Sequence, residues 1–407
     1  MSHSEKQVVV VGAGFGGIRA ALDLDKLLPS DYAIVLIDRN NYHGPQPMLF
    51  EVAAAHVAEP VETDFLKARG AIAVPLAHVF KKTRVRIVRG EVSEFFFGEK
   101  KVALADGRRF SYSYLVMALG SETNYFAIDG MIENAFPVKN LNEALALRAE
   151  IEEVFARKEK NEFIRFIVGG GGFVGVEVAG ELTFLLKELA QKYGRDVSRA
   201  TITVVEGSPS ILAGAKTWVQ KKATAHLQKL GVEVLTNGRI TSCSAGRVVL
   251  GSGETMPVDI LIWTAGIKAP AVIECLSGVP QIKGCLSLTP FLNLEQFKEV
   301  YGVGDLVASP VPATAQRALV QGKTAAKNIA HVIAGEPLAR YSPVDPVFVV
   351  PVGGRYGLAD LHGVHLVGFP AWCLKMIVEL KYLVSILPIH KAMRHWLQGV
   401  QVYVSND

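Results

Sequence analysis

A short apolar run followed by a glycine-rich turn stands near the start of the chain. Val8–Val11 is β-branched, as in parallel strands that are buried on both faces. Gly12, Gly14 and Gly17 follow in G-x-G-x-x-G spacing. The next segment, Ile18–Leu24, is apolar and favours a helix. This order predicts the strand–turn–helix start of a dinucleotide-binding fold.

Each part of this pattern has a physical role. The first glycine permits the turn, the second lets the backbone approach a pyrophosphate, and the third lets helix and strand pack closely. Ile34–Ile37 predicts the next strand, and Asp38 at its end can bind ribose hydroxyls. A glycine-rich turn without a ligand is the alternative, but the ordered strand, glycines, helix, strand and acid favour a nucleotide site.

The same pattern returns later in the chain and predicts a second nucleotide fold, so that the chain contains an internal repeat. Its parts are the strand Ile164–Val168, the glycines Gly170, Gly172 and Gly175, the helix Val176–Leu189, and the strand Thr201–Gly207 with Glu206 at its end.

Weaker signals predict the remaining elements. Strands near Val85–Val88 and Lys101–Leu104 are expected in a small antiparallel layer, with Asp106-Gly107 as a hairpin turn. Asn140 and Glu143 resemble a capping box that starts a helix ending near residue 158. Further helices are expected over 217–230 and 315–333, and crossings between the nucleotide folds at 115–120 and 260–266.

Two dinucleotide folds need two ligands, and we expect a flavin in the first and a nicotinamide in the second. Glu206 favours NADH, because it would repel a 2′-phosphate and residues 207–210 contain no arginine. Glu177 is expected in the first turn of its helix, where it contacts the nicotinamide amide or stabilises the helix dipole. Asp305 is expected to accept hydrogen bonds from flavin hydroxyls or to be a turn residue only.

Composition limits the alternatives. The net charge of +4 and the lack of an arginine-rich run give no support for nucleic-acid binding. The four cysteines contain no C-x-x-C pair, so we expect reduced thiols in the cytosol. We expect no signal peptide, no transmembrane helix and no metal site, with His362 and His365 at the surface.

The C-terminal segment predicts contact with a membrane surface. Residues 369–388 are apolar but contain three charged side chains. After Pro388, apolar residues recur with helical spacing opposite a basic face, as in helices that lie in a membrane interface. A helix that packs on the protein body or across a dimer is the alternative. The apolar positions are Ile389, Ala392, Met393, Trp396, Leu397 and Val400.

Nearly the whole chain resembles the type II NADH dehydrogenases, which are single-subunit NADH:quinone oxidoreductases of the two-dinucleotide-binding-domain flavoproteins. The loop at residues 42–53 and the segment 175–182 are similar to this family's motifs. Residues 315–318 resemble the start of its A-Q-x-A-x-Q quinone motif, and the C-terminal segment resembles its membrane anchor. The chain departs from the family pattern at Leu119, at Phe173-Val174 and at Val320, with Gln321 one place later.

The resemblance implies an α/β fold with two Rossmann-like domains and a C-terminal membrane-associating segment. Residues 1–120 and 268–340 would bind FAD without a covalent link, 121–267 would bind NADH, and 341–407 would anchor the protein. The resemblance also implies a peripheral, non-proton-pumping enzyme on the cytoplasmic face of the membrane, and a homodimer is a possible assembly. Quinone is the implied electron acceptor.

The predicted site residues combine both lines of reasoning. The catalytic candidates are Glu177, Gln316 and Gln321. The candidates for binding FAD are Gly12, Gly14, Phe15, Gly16, Gly17, Asp38, Arg39, His43, Ala118, Gly120, Gly304, Asp305 and Ala315. The candidates for binding NADH are Gly170, Gly172, Phe173, Val174, Gly175, Glu206 and Gly266.

Three other functions stay open at this point. A sulfide:quinone oxidoreductase would need cysteines beside the flavin, and residues 1–242 contain none. A disulfide reductase would need C-x-x-x-x-C after the first fold. A non-catalytic, membrane-docked NADH sensor is the third, and the altered quinone motif is the feature that favours it.

Overall fold

The computed structural model describes residues 6–55, 70, 72–343 and 348–405, with the side chains of the last helix described through Gln401. The chain forms two compact units. The first unit comprises residues 1–45, 74–122 and 267–346, and the second comprises 46–73, 123–266 and 347–407. The second unit thus includes the C-terminal region that the sequence suggested as a separate part.

The α-helices have the following bounds. They are α1 (Phe15–Leu27), α2 (Leu49–Ala53), α3 (Leu76–Val79), α4 (Met131–Asn134), α5 (Leu141–Arg157), α6 (Phe173–Lys192), α7 (Thr217–Lys229), α8 (Ala271–Glu274), α9 (Ala315–Ala334), α10 (Phe369–Ile386) and α11 (Ile389–Ser405). Short 3-10 helices span Gln46–Met48 and Val197–Arg199.

The strands are mostly short. They are β1 (Gln7–Val11), β2 (Ala33–Asp38), β3 (Tyr42–His43), β4 (Val74–Pro75), β5 (Val85–Arg89), β6 (Val92–Phe96), β7 (Lys101–Leu104), β8 (Arg109–Ser111), β9 (Tyr114–Met117), β10 (Glu122–Thr123), β11 (Ala135–Pro137), β12 (Ile164–Gly169), β13 (Ala200–Val205), β14 (Val232–Leu235), β15 (Ile240–Ser244), β16 (Arg247–Leu250), β17 (Thr255–Pro257), β18 (Ile260–Trp263), β19 (Ile267–Lys268), β20 (Gln281–Ile282), β21 (Cys285–Leu286), β22 (Val300–Gly302), β23 (Phe348–Pro351), β24 (Gly357–Leu361) and β25 (Val364–Gly368).

A parallel five-stranded sheet in the order β22-β9-β1-β2-β5 forms the centre of the first unit. In β1 the residues from Val8 to Val11 are fully buried, which matches the β-branched run in the sequence. The register pairs Val9 with Val35 in β2 and with Leu115 in β9. The carboxyl ends of β1 and β2 therefore reach the same edge of the sheet, where nucleotides bind in such folds.

A second parallel sheet, in the order β11-β18-β12-β13-β14, forms the centre of the second unit. Helix α5 begins with the predicted capping box, since Asn140 accepts from the Glu143 N–H and Glu143 accepts from the Asn140 N–H. Three-stranded antiparallel sheets accompany each parallel sheet: β6-β7-β8 in the first unit, and β15-β16-β17 and β23-β24-β25 in the second.

One strand lies elsewhere than the sequence pattern suggests. The segment Val85–Val88 was expected in the small antiparallel layer, but β5 pairs in parallel with β2 at the edge of the main sheet. In this edge strand Arg86 and Arg89 are exposed, whereas Val85 and Val88 are buried. An edge strand of a parallel sheet and a half-exposed antiparallel strand both mix apolar and charged residues, so the sequence pattern could not distinguish them.

The C-terminal helices differ in how they use their apolar residues. Helix α10 buries Ala371, Met376 and Leu383 and exposes Ile377 and Val384. In α11, Ala392 is buried against the protein. The sequence placed three further residues on the same apolar face, but these are exposed: Ile389, Met393 and Leu397. Within the described part of the chain, no helix has both the length and the apolar character needed to cross a bilayer.

Candidate functional site

The first glycine turn is fixed by close backbone contacts. Gly12 has φ +102° and donates its N–H to the Ile37 carbonyl at 2.8 Å. A Cβ atom on Gly12 would lie 2.3 Å from the Ala118 carbonyl oxygen, and one on Gly17 would lie 1.8 Å from the Gly12 carbonyl oxygen. A Cβ atom on Gly14 would meet nothing within 4 Å. The outer two glycines are therefore required by packing, and Gly14 leaves space for a ligand.

Asp38 connects this turn to the end of β2. Its Oδ2 accepts a hydrogen bond from the Ala13 N–H at 2.6 Å, and its Oδ1 accepts from the Asn40 N–H at 2.7 Å. Burial raises the pKa of the carboxyl, and the two backbone donors oppose that shift. Each oxygen keeps a lone pair that can accept from a ribose hydroxyl.

The second glycine turn repeats the first closely. A Cβ atom on Gly175 would lie 1.9 Å from the Gly170 carbonyl oxygen, whereas a Cβ atom on Gly172 would meet nothing within 4 Å. Glu206 accepts from the Gly171 N–H through Oε2 and from the Ser208 N–H through Oε1, both at 2.7 Å. In each fold the acid thus accepts one hydrogen bond from the backbone N–H of the residue after the first glycine. It accepts a second from the backbone N–H two positions after the acid in the sequence.

Both turns fit a dinucleotide. The backbone beside Gly14 and Gly172 is open, and each glycine is the N-cap of a helix whose first N–H groups and positive dipole end can meet a pyrophosphate. Asp38 and Glu206 supply acceptors for the adenosine ribose. Each fold therefore fits the adenosine half of a dinucleotide.

His43 lies directly behind the first glycine turn. Its Nδ1 is 2.9 Å from the Ala13 carbonyl oxygen, and its ring packs edge-on against Phe15 with centroids 5.1 Å apart. Burial lowers the pKa of the imidazole to about 4, so the ring is neutral at pH 7. Arg39, by contrast, is exposed, and a guanidinium nitrogen of its side chain lies 3.8 Å from a carboxylate oxygen of Glu91.

A second turn of the first unit holds Asp305. Its Oδ2 accepts a hydrogen bond from the Ser121 hydroxyl at 2.8 Å. The preceding Gly304 has φ +84° and donates its N–H to Oε1 of the buried Gln321 at 2.8 Å. Gln321, which the motif resemblance placed among the catalytic candidates, thus fixes the turn that carries Asp305.

The start of α9 lies against the start of α1. A Cβ atom on Gly322 would be 2.3 Å from the Gly16 carbonyl oxygen, and one on Gly16 would be 3.2 Å from that of Ala318. Thr314 caps α9 by accepting from the Arg317 N–H at 3.1 Å. Ala315 and the half-buried Gln316 are the first two residues of this helix, where N–H groups lack partners within the helix.

A buried group of charges surrounds Glu177 in the second unit. The Nζ of Lys375 is 2.8 Å from Oε1 of Glu51 and 3.1 Å from Oε1 of Glu379. Burial raises the pKa of Glu177 to about 8, with Glu51 and Glu379 adding to the rise and Lys375 opposing it. Burial also raises the pKa of Glu379. Lys375 is therefore shared by Glu51 and Glu379, and the raised pKa of Glu177 favours its protonated form at pH 7.

Comparisons with known proteins support one family. Residues 6–322 match the pyridine nucleotide-disulphide oxidoreductase family. The chain is 31% identical over 396 residues to the type II NADH:quinone oxidoreductase of Staphylococcus saprophyticus, covering 93% of this chain and 95% of that relative. The Staphylococcus aureus enzyme of the same description is 32% identical with the same coverage.

This chain belongs to the type II NADH:quinone oxidoreductases.

A solved structure agrees on the fold. NDH2 from Plasmodium falciparum, determined in complex with NADH, has a TM-score of 0.82 at 17% identity and covers 98% of both chains. Family membership confirms the predicted fold class and the predicted enzyme, an FAD-dependent oxidoreductase that uses NADH and quinone. Neither a sulfide:quinone oxidoreductase nor a non-catalytic flavoprotein is favoured.

One predicted residue of this type II NADH:quinone oxidoreductase lies elsewhere than expected, and the surroundings of four others can be described. Glu177 is the fifth residue of α6, so it lies past the first turn, where a contact with the helix dipole was expected. Phe173 and Val174 are partly exposed, and the Phe173 ring packs edge-on against Phe348. Gly266 has φ +81° and lies against the Phe126 ring, while Gly120 has φ +71° and open space.

The cluster that Glu51, Lys375 and Glu379 form around Glu177 was not predicted from the sequence. Glu51 and Lys375 are 324 positions apart, and no local pattern relates them. Three charged residues in an otherwise apolar helix were the available signal. His365, expected at the surface, is half-exposed and stacks on Trp218. The described residues contain no group of three or more side chains suited to a metal.

Proposed function

We propose that the first unit binds FAD at Gly12–Gly17 and Asp38, and that the second binds NADH at Gly170–Gly175 and Glu206. The supporting observation is the repeated arrangement in which each acid accepts from two backbone N–H groups beside an open glycine turn. When bound, FAD accepts the hydride that NADH gives and passes two electrons to quinone. In this assignment, residues 1–120 and 268–340 serve FAD, and 121–267 serve NADH.

The overall reaction consumes one proton from the surroundings. NADH, H⁺ and quinone give NAD⁺ and quinol. We propose that the Glu177 carboxyl stores this proton, because its pKa of about 8 keeps an oxygen protonated at neutral pH. The charge of Lys375 opposes this rise in pKa. This assigns to Glu177 a role other than contact with the nicotinamide amide.

We propose that Gln316 contacts the quinone head-group and that Gln321 positions the flavin site. The support for Gln316 is its place as the second residue of α9, next to N–H groups that lack helical partners. The support for Gln321 is its buried bond to Gly304 beside Asp305.

The exposed apolar residues of α10 and α11 support docking on a membrane surface. Ile377, Val384, Ile389, Met393 and Leu397 are each more than a third exposed. The basic Lys381 and Arg394 are exposed on the same helices and suit anionic lipid headgroups. We propose a peripheral enzyme on the cytoplasmic face, where NADH is available; the homodimer stays a prediction.

Two matched variants test the assignment of the nucleotides. We expect Asp38→Asn to weaken FAD binding by about tenfold or more, because a charged acceptor of two N–H groups becomes neutral. Glu206→Gln should keep its FAD and raise the KM for NADH. Asp106→Asn, on an exposed hairpin turn, is the control. Loss of FAD from Glu206→Gln with unchanged FAD binding by Asp38→Asn would reverse the assignment.

A further inference from the structure

Arg239, in the connection between β14 and β15, lies against the loop that follows the acid of the second nucleotide fold. The segments 206–208 and 235–239 are joined by backbone hydrogen bonds. Glu206 donates its N–H to the Leu235 carbonyl at 2.8 Å, Gly238 donates to the Glu206 carbonyl at 2.9 Å, and Asn237 donates to the Ser208 carbonyl at 3.0 Å. These bonds hold Arg239, the next residue, against the loop that follows Glu206.

The contact between Arg239 and Gly207 is close. A Cβ atom on Gly207 would lie 3.2 Å from Cγ and 3.6 Å from Nε of Arg239. A Cβ atom at position 207 would press on the arginine side chain, which would have to shift by a few tenths of an ångström. The lack of a side chain at Gly207 thus lets the Arg239 side chain pack against the residue that follows Glu206.

The guanidinium of Arg239 is available to a ligand. The residue is exposed, and across residues 6–55, 70, 72–343 and 348–405 its side chain forms no hydrogen bond or ion pair. Guanidinium groups bind phosphate oxygens in a bidentate manner and stack on planar rings. An arginine near the ribose-binding acid is also the group that accommodates a 2′-phosphate in dinucleotide folds.

We propose that Arg239 forms a latent subsite for the 2′-phosphate of adenosine, which Glu206 keeps closed by its negative charge. This inference rests on the proposed binding of the nicotinamide nucleotide by the second unit. It also revises the expectation from residues 207–210, since the arginine comes from the loop after β14. Glu206 then determines the preference for NADH by repulsion, while the attractive partner for NADPH is already present.

Binding of two nucleotide fragments tests this subsite without turnover. ADP-ribose and 2′-phospho-ADP-ribose differ in the 2′-phosphate alone, and their dissociation constants can be measured by titration calorimetry on the FAD-loaded protein. We expect Glu206→Gln to tighten binding of the phosphorylated fragment by about tenfold. Adding Arg239→Gln should remove most of that gain and change ADP-ribose binding by less than about threefold.

A matched control uses another exposed arginine of the second unit. Glu206→Gln combined with Arg247→Gln should keep the gain, because Arg247 contacts Ser244 on a separate hairpin. Higher salt should weaken the gained affinity. If Glu206→Gln/Arg239→Gln binds the phosphorylated fragment as tightly as Glu206→Gln, the subsite is refuted. If the wild-type protein binds neither ADP-ribose nor NADH, the proposed function fails and this inference fails with it.

Discussion

The ammonium of Lys375 lies 2.8 Å from a carboxylate oxygen of Glu51, and both side chains are buried. This ion pair joins the C-terminal helix α10 to the short helix α2 within the second unit. The segment that the sequence suggested as an anchor is therefore part of the body of that unit. Its removal would leave buried carboxyls without their cation.

We expect Lys375→Met to destabilise the second unit strongly. Removing one partner of a buried ion pair costs about 3–5 kcal/mol, because the other charge stays buried and loses that counter-ion. The loss should be larger at pH 8 than at pH 5, because the Glu177 carboxyl, whose pKa is raised to about 8, holds its proton at pH 5. Thermal unfolding at both pH values measures this. Lys381→Met, on the exposed side of the same helix, should change stability by less than about 0.5 kcal/mol.

The raised pKa of Glu177 predicts a pH dependence of stability. The folded state holds this proton up to a pKa of about 8, against 4.5 without the fold, so the contribution is complete below about pH 4.5 and is lost as the pH rises through 8. Glu177→Gln should therefore gain stability relative to the wild type between pH 5 and 8. We expect about 1–2 kcal/mol, allowing for screening of a partly exposed carboxyl.

The same variant tests the role in catalysis. Glu177→Gln should lower the rate of quinone reduction while bleaching of the flavin by NADH continues. The pH profile of the wild-type rate should show a group near 8 that the variant lacks. An unchanged rate and profile in Glu177→Gln would contradict a proton store at this residue.

The two glutamines of α9 should respond differently to substitution. Gln321→Leu removes the acceptor of the buried Gly304 N–H, which costs about 1–3 kcal/mol, and should lower the ratio of FAD to protein. Gln321→Glu keeps an acceptor and should keep more FAD than Gln321→Leu. Gln316→Leu should keep its FAD and raise the KM for quinone. A normal FAD ratio in Gln321→Leu would refute the positioning role.

The sequence predicted the parts of the fold that depend on neighbouring residues. Gly12, Gly17, Asp38 and Glu206 follow from local spacing, because turn, helix and strand succeed one another directly. The capping box at Asn140 is equally local. These features need no knowledge of distant packing.

The features that the sequence did not predict depend on contacts between distant segments. Glu51 and Lys375 meet through tertiary packing, and Arg239 reaches the loop after Glu206 from the connection between β14 and β15. The sequence predicted that the apolar residues of α11 recur with helical spacing, and the segment is a helix. Its division between Ala392, which is buried, and Met393, which is exposed, depends on the angle at which the helix meets the protein.

Membrane docking can be tested without truncation. We expect Ile389→Glu/Met393→Glu/Leu397→Glu to reduce binding to vesicles that contain anionic lipid by at least about tenfold, because three apolar side chains leave the interface. The fold should persist, since these side chains are exposed. Ile132→Glu/Ile282→Glu/Val332→Glu changes three exposed apolar residues elsewhere and is the control. Equal vesicle binding by both variants would contradict docking through α11.

An anaerobic absorbance titration tests the central claim most directly. The purified protein should show the visible spectrum of bound flavin, which NADH bleaches and which a short-chain quinone then restores through many cycles. A folded, colourless protein that takes up no FAD would contradict this account. So would a flavin that NADH bleaches but quinone leaves reduced.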